Sequence, residues 1–201
     1  MTHDVQKFSE LRADDVESNL FQYHLKHLLG KNMIEKCEGG YRLAPKGLYY
    51  ADRFSPEYKG ERPQPKLITI VVLKNREGKV LLQQKLRQPW LGEYHLPAGK
   101  IHTGETTDGA ATRELEEKTG VRIDDMWFRC LSHVQVFKQQ TVVTDYFGFI
   151  FTASYEGVIE NGYWYDPDDE SETIRLAPGV QEVLGFERIG NNGFHPLVIE
   201  L

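Results

Sequence analysis

Hydrophobic and polar positions alternate with different periods in the two parts of this chain. In VESNLFQYHLKHLLGKN, residues 16–32, apolar side chains fall at Leu20, Phe21, Leu25, Leu28 and Leu29, with His24 as a weaker member. That spacing predicts a helix with one buried stripe. Asp15 or Ser18 is placed to cap its start and Gly30 to mark its end. MIEKCEGGYRLAPKG reads as two short strands about Gly39 and Gly40, and GLYYADRF as another helix.

Beyond residue 62 the pattern becomes that of a sheet. PKLITIVVLKN, residues 65–75, is a β-branched and aliphatic strand; NREG is a turn; KVLLQQKLR, residues 79–87, is the second arm of a hairpin. TDGAATRELEEKTG predicts a helix with an Ala110, Ala111 and Leu115 stripe and Gly120 as its stop. MWFRCLSHVQVF and TVVTDYFGFIFTAS read as long strands, and LAPGVQEVLGF, residues 176–186, as a closing helix. This order predicts an α/β layered fold with a mixed sheet.

FSPEYKGERPQP, residues 54–65, separates the two parts; it holds three prolines and one glycine and has no apolar period. We expect two domains, residues 1–62 including this linker and residues 63–201. Charge divides at the same seam: residues 1–60 carry nine basic and nine acidic residues, so the net −6 of the chain falls on the remainder. Such a balance argues against indiscriminate coating of nucleic acid. The run LITIVVL is too short to span a bilayer, and MTHDVQKFSEL is polar throughout, so neither a membrane span nor a secretory leader is expected. The two cysteines, Cys37 and Cys130, lie far apart without metal-like spacing, which fits the reducing cytoplasm.

The stretch FSEL…ESNLFQYHLKHLLGKNMIEKCEGGYRLAPKGLYYAD, residues 8–53, resembles the winged-helix domains of prokaryotic transcription regulators. The resemblance implies that Asn19, Gln22, Tyr23 and Lys26 line the exposed face of a major-groove helix. The other reading of these side chains is a solvated face on a module serving dimerisation or domain contact. Electrical neutrality gives DNA binding no support from bulk charge.

Between the hairpin and the long strands, Gly99, Glu105, Arg113, Glu114, Leu115, Glu117, Gly120 and Val121 stand at fixed offsets. They match eight of nine fixed positions of the Nudix box, G-x5-E-x7-R-E-U-x-E-E-x-G-U with U aliphatic, and the chain from about residue 64 to 201 resembles that superfamily. The resemblance implies a mixed-sheet α/β/α sandwich, a Mg²⁺ or Mn²⁺ cofactor, a nucleotide-derived small-molecule substrate, and the Gly99 carbonyl as a metal ligand.

The spacing also has a physical reading of its own. On a helix Glu114 and Glu117 are i, i+3 neighbours, and Arg113 and Glu117 are i, i+4 neighbours. Two carboxylates so placed form a hard-oxygen patch for a divalent ion, which bridges diphosphate oxygens and activates water. Arg113 is placed to orient Glu117 or Glu105. Glu116 points elsewhere and reads as solvated.

The one mismatch is Lys118, which stands where the family pattern has its last glutamate. It is i+4 from Glu114 and can form an ordinary helical ion pair. It changes the charge of the face made by residues 114, 117 and 118 from −3 in the family pattern to −1. Metal affinity is expected to fall. Asp145, Asp169, Glu170 and Glu172 are candidates for a borrowed ligand, or Lys118 itself contacts a phosphate as a point charge.

Lys85 and Arg87 lie near the end of the second strand, where family members bind the diphosphate. RQPWLGEYHLPAG resembles the R-x-P-x-x-G-x-W-x-L-P-G-G stretch of members that take nucleoside diphosphate sugars or ADP-ribose, with Tyr94 and Ala98 as departures. Trp90 or Tyr94 can stack on a base or pack on the sheet. His102, in the metal loop, is a ligand candidate or an exposed loop residue.

These readings lead to a metal-dependent Nudix hydrolase of a nucleoside diphosphate-linked compound, with Glu114 and Glu117 on the metal and Glu105 and Arg113 supporting the site. The alternative is a winged-helix transcription regulator whose Nudix-like domain senses a nucleotide metabolite. A homodimer is compatible with either.

Overall fold

The computed structural model describes residues 5–13, 15–55, 57–58, 60–61, 63–169, 173–189 and 192–201. The chain divides into two compact units, Met1–Gln64 and Pro65–Leu201.

The first unit contains α1 (Phe8–Leu11), α2 (Ser18–Gly30), β1 (Ile34–Cys37), β2 (Gly40–Leu43), α3 (Pro45–Arg53) and the short pair β3 (Phe54–Ser55) and β4 (Gly60–Glu61). β1 and β2 form the expected antiparallel hairpin. Gly47 brings α3 against the chain after α2, because a Cβ there would collide with the Met33 carbonyl.

Two details of α2 differ from expectation. Glu17 is its N-cap residue and makes no side-chain cap bond, while Ser18 is already inside the helix. Gly30 also lies inside the helix, and the left-handed residue that follows is Asn32, at φ +57°. The apolar stripe is narrower than its spacing implies: Leu25 is buried and Phe21 and Leu29 half-buried, but Leu20, His24 and Leu28 are exposed. A unit this small, with a one-turn α1, one more short helix and two short antiparallel pairs, has little mass with which to cover the whole stripe.

The second unit contains β5 (Lys66–Lys74), β6 (Val80–Gln84), β7 (Tyr94–His95), β8 (Ala98–Lys100), α4 (Thr107–Thr119), β9 (Trp127–Lys138), β10 (Thr141–Ser154), β11 (Tyr163–Tyr165), α5 (Val180–Ile189) and β12 (Phe194–Glu200). Six strands run in the order β11-β6-β5-β10-β9-β12, with β7 on β6 and β8 on β5. β10 pairs parallel to β5 and β12 parallel to β9, and the other pairings are antiparallel, so the sheet is mixed.

The predicted β5–β6 hairpin is held at a single register pair, Lys74 with Val80. Farther along, β8 takes the same edge of β5, pairing Thr69 with Gly99. The hairpin therefore splays, and the site loop enters the opening.

Two apolar clusters cover the two faces of the sheet. Val71, Leu73, Leu81 and Phe151 pack with Ala111 and Leu115 of α4. Ile70, Val72, Leu82 and Ile150 pack with Val180, Val183 and Leu184 of α5. This is the expected α/β/α layering. The Thr106 hydroxyl caps α4 by accepting from the Gly109 amide, and Gly120 ends it at φ +73°. No helix among the described residues is long and apolar enough to cross a membrane.

Leu115 is fully buried at the centre of the α4 cluster. Leu115→Ala should cost about 2–5 kcal/mol of stability. Urea unfolding followed by tryptophan fluorescence measures this in the second unit, because Trp90, Trp127 and Trp164 all lie there.

Candidate active site

Gly99 lies on β8, Glu105 on the loop that follows, and Arg113, Glu114, Glu117 and Lys118 on α4. A Cβ added at Gly99 would overlap the Glu114 carboxylate, so backbone and acid are in direct contact. Any other residue there would force the Glu114 carboxylate out of its present position.

Arg113 is the hub. Its Nε and Nη2 donate to the two oxygens of Glu105 at 2.7 and 2.9 Å. Nη2 also donates to the Lys100 carbonyl at 3.0 Å, and Nη1 reaches Glu114 at 2.9 Å and Glu117 at 3.4 Å. Both carboxylates offered as its partners are engaged, Glu105 by the stronger, two-pronged contact.

The Arg113 bonds, with the His102 backbone amide donating at 3.0 Å, pull the Glu105 carboxyl down to about 2. Glu105 and Glu114 in turn push the guanidinium upward, so it stays charged. His102 thus enters the network through its backbone amide.

Glu114 is buried, with 7% of its surface exposed. A buried carboxylate is costly unless paired. It is held on one side by Arg113 and on the other by the Lys118 ammonium, 3.4 Å away, the i, i+4 pair expected of that substitution. Glu117 is the open member, with its side chain 58% exposed. Glu116 turns away to Arg122, as expected.

A cleft of about 890 Å³ adjoins this network, and Lys85, Arg87, Tyr94 and Lys118 all line it. Gln83, His95, Asn161 and Tyr163 also line it and escaped the sequence reading. Gln83 had a signal, since it is two residues before Lys85, which directly follows β6. Asn161 and Tyr163 had none, being brought in by the pairing of β11 with β6.

Tyr94 and Tyr163 meet with ring centres 5.5 Å apart. Trp90 lines a smaller neighbouring pocket of about 160 Å³ between the sheet and the start of α5. Burial, with Lys66 and Lys118 nearby, lowers the Lys85 pKa. Burial and the Lys85 charge take His95 down to about 4, so its ring is neutral at pH 7. His95 Nδ1 lies 2.7 Å from the Leu96 carbonyl, which can only accept, so this nitrogen carries the proton.

The Gly99 carbonyl, Glu114 and Glu117 are hard oxygen donors of the kind Mg²⁺ takes. Arg113 and Lys118 compete for the two glutamates. Among the described residues no group of three or more His, Cys, Asp or Glu could hold a metal. Asp145 is spent on His133 and Gln135 of β9, at 2.9 and 3.2 Å, and neither it nor Asp169 completes such a group. Glu170 and Glu172 lie outside the described residues. Two carboxylates and a carbonyl are a donor set of the type a single divalent ion takes.

A charged acid network thus lies at the mouth of a splayed β–α junction, beside a cleft lined by Lys85, Arg87 and Lys118. The chain belongs to the Nudix family: the NUDIX domain matches residues 64–190. An RNA pyrophosphohydrolase of Erythrobacter litoralis is 50% identical over 54 residues, 27% of this chain and 33% of that protein. The Nudix hydrolase YvcI of Bacillus subtilis, itself uncharacterized, is 30% identical over 126 residues, 59% of this chain and 77% of its own. The chain thus spans about a third of the first relative's length and about three quarters of the second's. In fold, it is similar to the Nudix domain of Shewanella oneidensis NrtR, solved with ADP-ribose. That likeness has a TM-score of 0.54 at 20% identity, covering 71% of this chain and 96% of that one.

The low pKa of Glu105 makes its contribution to stability pH-dependent. Its folded value, about 2, lies below the ordinary value of 4.5, so the contribution is present above pH 4.5 and lost as the pH falls towards 2. Wild type should exceed Glu105→Gln in urea midpoint at pH 6, with the gap closing between pH 4.5 and 2. A gap constant across that range would contradict the assignment.

Proposed function

We propose that this protein is a Nudix pyrophosphohydrolase that cleaves the diphosphate of a nucleoside diphosphate-linked compound with Mg²⁺ or Mn²⁺. The observation that carries this reading is the Arg113-centred network joined to a cleft lined by Lys85, Arg87 and Lys118. A divalent cation held by Glu114, Glu117 and the Gly99 carbonyl supplies charge neutralisation on the diphosphate and lowers the pKa of water.

The protein's own groups divide the remaining work. Lys85, Arg87 and Lys118 bind diphosphate oxygens, and Tyr94 offers a ring face to the rest of the ligand. Arg113 and Glu105 are positioning residues that hold the α4 carboxylates against β8. With its pKa near 2, Glu105 is too weak a base to take a proton at neutral pH. Glu117, the exposed carboxylate, accepts the proton of the water that attacks phosphorus. The setting is the cytoplasm.

Lys118 favours a second reading. It places an ammonium on the acid face and weakens metal binding, as in a domain that senses its nucleotide ligand with little or no hydrolysis. The first unit then acts as a winged-helix DNA reader. Asn19, Gln22, Tyr23 and Lys26 are all exposed on α2, as that role requires. A homodimer suits a reader of paired half-sites. Ligand-dependent, salt-sensitive binding to genomic DNA fragments supports this reading, and its absence removes it.

The hydrolase reading is tested with Mg²⁺ and a panel of ADP-ribose, NADH, dinucleoside polyphosphates and oxidised deoxynucleoside triphosphates. We expect turnover of at least one compound, reduced about 10²–10⁴-fold in Glu117→Gln. No turnover above that variant would reject hydrolysis.

A further inference from the structure

We propose that Lys118 is a built-in cation of the ligand cleft, so that a nucleoside diphosphate is captured there without a divalent ion. This inference rests on the reading of the cleft as a diphosphate site and adds how the ligand is held.

Three observations carry it. First, the described lining of the cleft includes Lys85, Arg87 and Lys118 and no carboxylate. The cleft therefore offers an anion cationic partners of its own, without help from a metal. Second, Lys118 is held at the wall by its own backbone, whose carbonyl accepts from Gln83 Nε2 at 2.9 Å. Its side chain remains 31% exposed. Third, its ion pair with Glu114 is long, at 3.4 Å, and Glu114 keeps a closer partner in Arg113, at 2.9 Å. The ammonium can turn to a phosphate oxygen without leaving a buried carboxylate unpaired.

The charges agree with this use. The carboxylates Glu105, Glu114 and Glu117 face Arg113 and Lys118, a net of −1 where a divalent ion prefers more negative charge. A lysine ammonium is a compact point charge suited to a phosphate oxygen. Its other role is that of a basic residue in the last turn of α4, facing the negative helix end. Only the first role predicts an effect on ligand binding that depends on metal.

The test is calorimetric titration of the full chain with inorganic pyrophosphate and with ADP-ribose, in EDTA and in Mg²⁺. Wild type should bind at least one probe in EDTA, within about 3-fold of its affinity in Mg²⁺. Lys118→Met should weaken binding in EDTA by about 10-fold or more, and Lys118→Arg should largely retain it. Lys118→Glu should bind only when a divalent ion is supplied. Its Mn²⁺ affinity, read by the paramagnetic resonance of free Mn²⁺, should exceed that of wild type. Tryptophan fluorescence in urea establishes that each variant is folded.

Binding by wild type only in Mg²⁺, or equal binding by wild type and Lys118→Met in EDTA, would overturn this inference and leave the hydrolase reading intact. Binding of neither probe in either condition would overturn the inference together with the diphosphate reading on which it rests.

Discussion

The second unit depends on one guanidinium. Arg113 carries five N–H donors in a rigid fork, and its ring of acceptors comprises Glu105, Glu114, Glu117 and the Lys100 carbonyl. One of these lies at the end of β8, one on the loop before α4 and two on α4 itself. The guanidinium therefore fixes the angle at which the helix leaves the loop and holds three like charges together. A lysine, with a compact ammonium, cannot span this set. Gly99 completes the arrangement by removing the side chain that would separate β8 from Glu114.

Much of the second unit was legible because its elements obey local rules. β10 occupies 141–154, the whole of TVVTDYFGFIFTAS, and β9 is offset by one residue from its predicted bounds. α4 begins at a capping threonine and ends at a left-handed glycine, both visible as residue types. What was not legible depends on distant partners. β7, β8 and β11 have two or three residues each and form only because β6 and β5 offer edges to them. α5 starts at Val180 rather than 176, after Pro178 and Gly179 interrupt the apolar run. In the first unit, apolar spacing named the inward side of α2 but could not say how little lies against it.

The same division runs through the site. The offsets brought Gly99, Glu105, Arg113, Glu114 and Glu117 to one place, because loop and helix are continuous there. They left open which acid Arg113 holds, a matter of side-chain reach that the folded loop decides in favour of Glu105. The proposal of Asp145 as a supplementary ligand failed for a cross-strand reason: its register partner is Gln135, and His133 lies near enough to claim its other oxygen. Lys118 was legible as an anomaly, and its meaning needed the cleft. The wall it shares with Lys85 comes from β6, more than thirty residues earlier in the chain.

β5 has no free side. Ile70 and Val72 belong to the cluster under α5, Val71 and Leu73 to the one under α4, and β8 and β10 occupy its two edges. Gly99 is paired to this strand through Thr69. The acid network is thus moored to the segment least able to accept change, whereas the cleft walls come from β6, β7 and the run into β11. In mechanical terms, the site has a stiff anchor at Gly99 and a mouth whose walls are largely edge strands and connecting chain, so a substitution in the mouth disturbs less packing than one at the anchor.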